Sequence, residues 1–529
     1  MSRERKIIPL FPSTDCAPEF AGALQELAGI AGEKVLRLTF GKYIFKKSNS
    51  AAVYFPVSNT VVRSDSLIKH IGLLIENMDN LIIDGNGAEL IFDGDMSAIA
   101  LRNCHNVRLE NFSINFIHPR VSEMKVVKCG ENFAEFSIDP SSRYSADENG
   151  RFCWINADGL VESFTSHQVV QVSSPENTSN LRTIFNPVRE ALDFETLPDG
   201  HVLFKYGKTP PVKPGETWQF RDPSRRENGI MITHCSKINI ESLRLGFTPG
   251  LGIVAQMTRD LSIRNHRHAP LPDCKRVCAA LADCIQISGC YGKVEICDAL
   301  FSGAQDDPIN IHGTYLGLNK INGKEITLRF CHGETWGFLP FQKGDEICPV
   351  KRSNFSRGES YFVENAQLVD ETVVRLTLDR AFPETDDPDA FVIENLSANP
   401  DVSVHDCVFE CYPTRGLLLS SAGKCRIYNN EFRQTAARPA IFISGDANNW
   451  YESGGVRDVE ITGNIFRCFT VPAIEINPHV PEPDGTAVHN NIRIKDNIFE
   501  NKNVVFLRYH SAGILKTDLP EDKIEKIGK

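Results

Sequence analysis

VSVHDCVFE from Val402, CRIYNNEFRQ from Cys425, VEITGNIFRC from Val459 and IRIKDNIFEN from Ile492 are four variants of one phrase. Each runs through alternating apolar residues to an Asn or Asp and then a Phe. Period-two alternation marks a short strand with one face buried. An Asn or Asp directly after it suits the left-handed conformation of a tight corner. The phrase recurs upstream as NLIIDGNGAELIF from Asn80, NVRLENFSINF from Asn106, KINIESLRLGF from Lys237 and KVEICDALFSG from Lys293. One such unit cannot bury its apolar face alone, so successive units must stack into a solenoid with a continuous interior. The units are rich in Val, Ile and Phe and broken by Asn and Gly, which argues against a helical-repeat solenoid. An all-β, right-handed parallel β-helix is therefore expected. Ahead of it, PEFAGALQELAGIAG from Pro18 reads as an amphipathic helix capping the first coil.

Two stretches interrupt the rhythm. The expected organisation is a β-helix over 1–117, 229–313 and 399–529, with small antiparallel β-barrel-like domains inserted at 118–228 and 314–398. Insertions on one face of a solenoid commonly wall a binding groove.

The chain has 529 residues, a net charge of −11 and no run of Lys and Arg that would follow a phosphate backbone, so nucleic acid is not an expected partner. No segment reaches the roughly 18 uninterrupted apolar residues of a membrane span. The amino terminus, MSRERKIIPLFPSTDCAPEF, lacks the apolar stretch of a signal peptide. With sixteen cysteines, a cytoplasmic protein is expected unless a leader has been removed. Cys235, Cys297, Cys407, Cys425 and Cys468 lie in or beside the β phrases, where a small apolar side chain stacks well. Cys274, Cys278, Cys284 and Cys290 lack the paired spacing of a zinc site.

The densest polar constellation is ADCIQISGC from Ala282 followed by FSGAQDDPINIHGTY from Phe301. Asp283 precedes Asp306 and Asp307 by about one coil, so stacking brings the three carboxyls together. Like charges so close raise the pKa of at least one of them. A carboxyl that must donate a proton near neutral pH needs such a shift. Glycosidic hydrolysis uses one carboxylic acid and one carboxylate, 6.5 to 9.5 Å apart where a water sits between them. Glu334 and Trp336 in the second insertion, and His312, Arg415, Glu475 and His479 on the coils, are the substrate-binding candidates.

The ADCIQ, GAQDDPINIHGTY and CHGETWGFLPFQKGDEI segments resemble glycoside hydrolase family 110, the bacterial α-1,3-galactosidases, and the likeness extends over nearly the whole chain. A more distant likeness is to polygalacturonases. The family resemblance implies exo-acting, inverting, metal-independent hydrolysis of terminal α-1,3-linked galactose from linear Gal-α-1,3-Gal or the branched blood group B antigen, with no cofactor. By the same match, Asp306 is implied as the general acid and Asp283 and Asp307 as the groups that activate water. The competing readings are a polygalacturonase-like hydrolase and a β-helix that binds glycans without cutting them. No basic residue stands in the sequence beside Asp306 and Asp307, which speaks for a neutral sugar over polyanionic pectin. A bacterial protein with a galactose-containing glycan as partner is expected, and the lateral faces of a long β-helix suggest a homodimer.

Overall fold

The computed structural model describes residues 5–176, 178–433, 438–467, 470–500 and 504–528. Each phrase is one rung of a parallel β-helix. Asp401–His405 lies between Lys293–Cys297 and Lys424–Tyr428 with Val402 in register with Val294 and Cys425, and Asp458–Thr462 and Ile492–Lys495 continue the stack. The residue that joins the two strands of a phrase is left-handed: Asp298, Asp406, Asn429, Gly463 and Asp496 have φ of 53, 55, 56, 65 and 57°. The corner therefore needs a residue that tolerates positive φ, and Asn, Asp and Gly do so at least cost.

The repeated Phe points inward. Phe301, Phe409, Phe432, Phe466 and Phe499 form one stack with centroid separations of 5.2, 4.5, 5.2 and 4.8 Å, close to the spacing of neighbouring strands, about 4.8 Å. Beside it runs a ladder in which the Asn430 amide donates to Asn464 Oδ1 at 2.9 Å and the Asn464 amide to Asn497 Oδ1 at 3.0 Å. Interior polar side chains thus satisfy one another rung by rung. Cys235, Cys297, Cys407 and Cys425 are buried free thiols, while Cys468 lies outside the described residues.

A second ladder of strands bears the groove. It passes through Ser97–Arg102, Ile230–Thr233, Ile253–Gln256, Ile285–Ser288, Ile309–Thr314, Leu417–Leu419, Ile441–Ile443 and Ile474–Ile476, all parallel and in register. Ile285, Ile309, Ile441 and Ile474 face the core with no exposed surface. Between them, Gln286, Asn310, Leu418, Phe442 and Glu475 form one outward column.

The helix Ala17–Ala28 covers the first coil, with Phe20 against Tyr43 and Phe45 at 6.1 and 5.1 Å. Among the described residues no helix is long and apolar enough to cross a membrane. The second insertion closes as a six-stranded barrel between Leu316 and Asn395, filled by residues such as Leu318, Leu328, Val374 and Leu376. The first is a seven-stranded antiparallel sheet between Ser122 and Arg221 with its own core of Phe136, Phe204, Trp218 and Phe220. One of its two edge strands, Asn180–Thr183, is turned to the β-helix, where the Asn180 amide donates to the Ala304 carbonyl.

Candidate active site

Ile285, Ile309 and Leu417 occupy equivalent places on three consecutive rungs. Asp283, Asp307 and Arg415 each stand two residues before them and so share a column. The Cys284 N–H donates to the Asp307 carbonyl at 3.0 Å, continuing the register into these turns. Arg415 meets Asp307 twice, through its backbone N–H to Oδ1 at 3.0 Å and its guanidinium to Oδ2 at 2.7 Å. Asp306, one residue earlier, turns the other way, to Arg182 at 3.1 Å and Arg225 at 4.0 Å. Oxygens of Asp283, Asp306 and Asp307 all come within 4.8 Å of one another. This is closer than the 6.5 to 9.5 Å of an inverting acid and base and nearer the roughly 5 to 5.5 Å of a retaining pair, so the anomer first formed is the test that separates the two.

The turn that carries Asp306 is held from outside its own coil. The first insertion supplies Gln171 and Arg182, which donate to the Gln305 carbonyl at 2.8 and 3.0 Å, and Asn180, which donates to the Ala304 carbonyl at 3.0 Å. Gln305, fully buried, accepts from Arg221 at 2.8 Å and donates to Gln219 at 3.0 Å. The acid pair thus sits on a clamped turn, the condition for preorganised chemistry.

Above the aspartates opens a cavity of about 520 Å³, within the size range of small-ligand sites. Val169, Val170, Arg182 and Thr183 of the first insertion wall one side. Glu334 of the barrel and Asn59 of the loop after Tyr54 wall another. These two segments are joined, since Thr60 and Val61 N–H groups donate to the Glu334 carbonyl at 3.1 and 3.0 Å and Thr335 Oγ1 donates to Asn59 at 2.7 Å. Trp450 and Glu452 line the side towards the later coils. Glu452 accepts from Asn59 and Asn310, each at 3.3 Å, and Asn310 also approaches Asp283 at 3.5 Å.

Burial and the charges of Asp306 and Asp307 raise Asp283 well above the usual carboxylate range. Burial also lifts Asp307, which the Arg415 guanidinium partly offsets and the Asp306 charge reinforces, to about 6. Burial would raise Asp306 too, but Arg182, Arg225, Arg415 and Arg221 outweigh it and hold it down to about 2. At neutral pH Asp306 and Asp307 are therefore ionised and Asp283 holds the proton. The expectation that no basic residue accompanies the aspartates is corrected here: four arginines line the cavity, drawn from segments remote in the sequence. They face five carboxyls, Asp283, Asp306, Asp307, Glu334 and Glu452. The arginines balance the acids and leave no positive excess for a polyanion. The three aspartates are near enough to share a cation geometrically, yet the guanidiniums already supply the counter-charge.

Asp283, Asp306, Asp307, Glu334 and Arg415 line this cavity. His312 does not; it is buried behind the floor, its Nδ1 donating to the Gly313 carbonyl at 2.7 Å and its Nε2 lying 3.6 Å from Glu452. Trp336 is also outside it, its indole N–H satisfied by the Gly333 carbonyl at 3.0 Å. The tryptophan at the cavity is Trp450, stacked on His332 at 4.5 Å. Glu475 and His479 line a neighbouring cavity. Arg182, Arg225, Trp450 and Glu452 were not singled out in the sequence. One signal for the last two exists, since Cys425 and Val459 open successive phrases yet lie further apart than Val402 and Cys425, which marks a lengthened loop.

Residues 325–389 match the family described as GLAA-B beta-barrel domain II. A Bacteroides fragilis protein named alpha-1,3-galactosidase A is 33% identical over 95% of this chain and 84% of its own length. Alpha-1,3-galactosidase B of Bacteroides thetaiotaomicron is 30% identical over 87% of this chain and 75% of its own. Among solved structures, the Yersinia enterocolitica family 28 exopolygalacturonase aligns with 99% of this chain and 78% of its own at 8% identity, with a TM-score of 0.37.

Proposed function

Because the chain belongs to glycoside hydrolase family 110, the family of the α-1,3-galactosidases, we propose that it removes terminal, non-reducing α-1,3-linked galactose from glycans by hydrolysis with inversion. The observation that carries this reading is the cluster of Asp283, Asp306 and Asp307 at the bottom of a cavity walled by both insertions. A walled pocket favours a chain end over the middle of a polymer, hence exo action. Balanced charge favours a neutral sugar.

Hydrolysis needs one proton in the cluster and one ionised carboxylate. Asp306, with its side chain 15% exposed against 2% for Asp307, is the member open to the cavity and suits the donor to the leaving oxygen. In the resting protein its arginines keep it ionised, while Asp283 resists ionisation most strongly. With oxygens within 4.8 Å, a proton stored on Asp283 passes through one bridging water to Asp306 as the bond breaks, while Asp307 stays ionised. The deeper pair is left to take a proton from the attacking water.

The test is NMR-monitored digestion of Gal-α-1,3-Gal and of the blood group B oligosaccharide, with Asp306→Asn in parallel. First-formed β-galactose from the unmodified protein is expected, with the variant slower by roughly 10²- to 10⁴-fold. First-formed α-galactose would overturn inversion, and no galactose from either substrate would overturn the galactosidase reading.

A further inference from the structure

A second cavity, of about 310 Å³, lies against the catalytic one and shares Arg415, Trp450 and Glu452 with it as a common wall. Its floor is the outward column of the groove-bearing ladder, Leu418, Phe442 and Glu475 on successive rungs. Asn310, which floors the catalytic cavity, belongs to the same column. Two rungs separate Asn310 from Phe442, roughly 10 Å along the axis. The two cavities are thus consecutive compartments of one groove.

Phe442 is the feature that packing does not explain. Its neighbours Ile441 and Ile443 are core residues, whereas Phe442 turns a half-buried aromatic ring out of the sheet into the cavity. The polar side chains around it are held in place. Asp446 accepts from the backbone N–H groups of Asn448, Asn449 and Trp450 at 2.8, 2.9 and 3.1 Å, fixing the turn that carries Trp450. The same carboxylate meets His479 Nδ1 at 3.2 Å, which sets the imidazole plane. Asn477 donates to Glu475 at 3.1 Å. An outward aromatic ring flanked by oriented hydrogen-bonding groups has the chemistry of a sugar-ring site.

Resting on the galactosidase reading, we propose that this cavity is the acceptor-side subsite, binding the neutral sugar ring from which galactose is cleaved. The first insertion, the barrel loop and Asn59 line the other sides of the catalytic cavity, and Arg415, Trp450 and Glu452 line both cavities, so the remainder of the glycan is directed over this shared rim. The ring lies on Phe442, with Glu475 and His479 at its hydroxyls. Two arginines and His479 are set against Asp446, Glu452 and Glu475, a balance that selects an uncharged ring over a uronic or sialic acid.

The experiment compares kcat/KM for Gal-α-1,3-Gal with kcat/KM for α-galactosyl fluoride, whose leaving group is too small to occupy the second cavity. Glu475→Ala and Phe442→Ala are each expected to lower the disaccharide-to-fluoride ratio by about tenfold or more. Activity on the fluoride reports that a variant is folded, and two substitutions at separate rungs guard against the loss of one. An unchanged ratio in both overturns the subsite while leaving the galactosidase reading intact. No galactose from either substrate with the unmodified protein overturns that reading and the subsite with it.

Discussion

Replacing Arg415 by Gln should move the acidic limb of the pH–rate profile upward. In the mechanism proposed above Asp307 has to be ionised to accept a proton from water, and its pKa stands at about 6. Activity on a small galactoside is therefore expected to fall as pH drops through about 6. The Arg415 guanidinium, 2.7 Å from Asp307 Oδ2, favours the ionised form. A unit charge pair about 4 Å between centres interacts by about 4 kcal/mol at an effective dielectric of 20, and 1.36 kcal/mol corresponds to one pKa unit. That is an upper bound, because the Arg415 backbone N–H bond to Asp307 survives the substitution. An upward shift of roughly one to three units is expected. The sign follows from the charge: without the cation the carboxylate binds its proton more tightly, so activity is lost from a higher pH downward. The assay is kcat/KM against pH for α-galactosyl fluoride by fluoride electrode, with Arg415→Lys as the charge-retaining control. A limb that stays in place while kcat/KM falls uniformly would refute the assignment of Asp307 as the titrating base.

Gln305→Ala removes the buried side chain that joins Gln219 and Arg221 to the turn carrying Asp306; a loss in kcat of roughly 10- to 100-fold with little change in KM is expected from steady-state kinetics, and parallel changes in both would count against a positioning role. Phe432→Ala opens the interior stack between Phe409 and Phe466 and should cost about 3 to 5 kcal/mol in urea unfolding; a cost under about 1 kcal/mol would mean the stack is not a source of stability. Prolonged dialysis against EDTA should leave galactose release unchanged, because arginines balance the aspartates; inactivation restored by one divalent metal would point to a cation among Asp283, Asp306 and Asp307.

The rungs were legible in the sequence because one phrase carries its whole instruction: alternation for the strands, Asn or Asp for the corner, Phe for the interior stack. The aspartates were legible for the same reason, since a spacing of one coil becomes adjacency once coils stack. Arg415 sits two residues before its strand, as Asp283 and Asp307 do before theirs, so it too could be placed from the repeat. The walls follow no such rule. Arg182 reaches Asp306 across 124 residues, and Glu334 meets Thr60 and Val61 across more than 270, through domains whose docking no local pattern encodes. Trp336 was singled out because its neighbours match a family segment, but its indole N–H is satisfied within its own loop.

Both insertions leave and rejoin the β-helix through a single gap. In the first, Ser122–Cys129 pairs with Thr217–Arg221, and in the second Leu316–Asn322 pairs with Phe391–Asn395. Each excursion therefore closes on itself within one strand spacing and adds nothing to the count of turns. Asp307 and Arg415, some hundred residues apart, remain next-rung neighbours as if the barrel had never been spliced in. A chain built this way can exchange the modules that wall the cavity while the floor that carries the aspartates keeps its register, much as a lock can be rekeyed without moving its bolt.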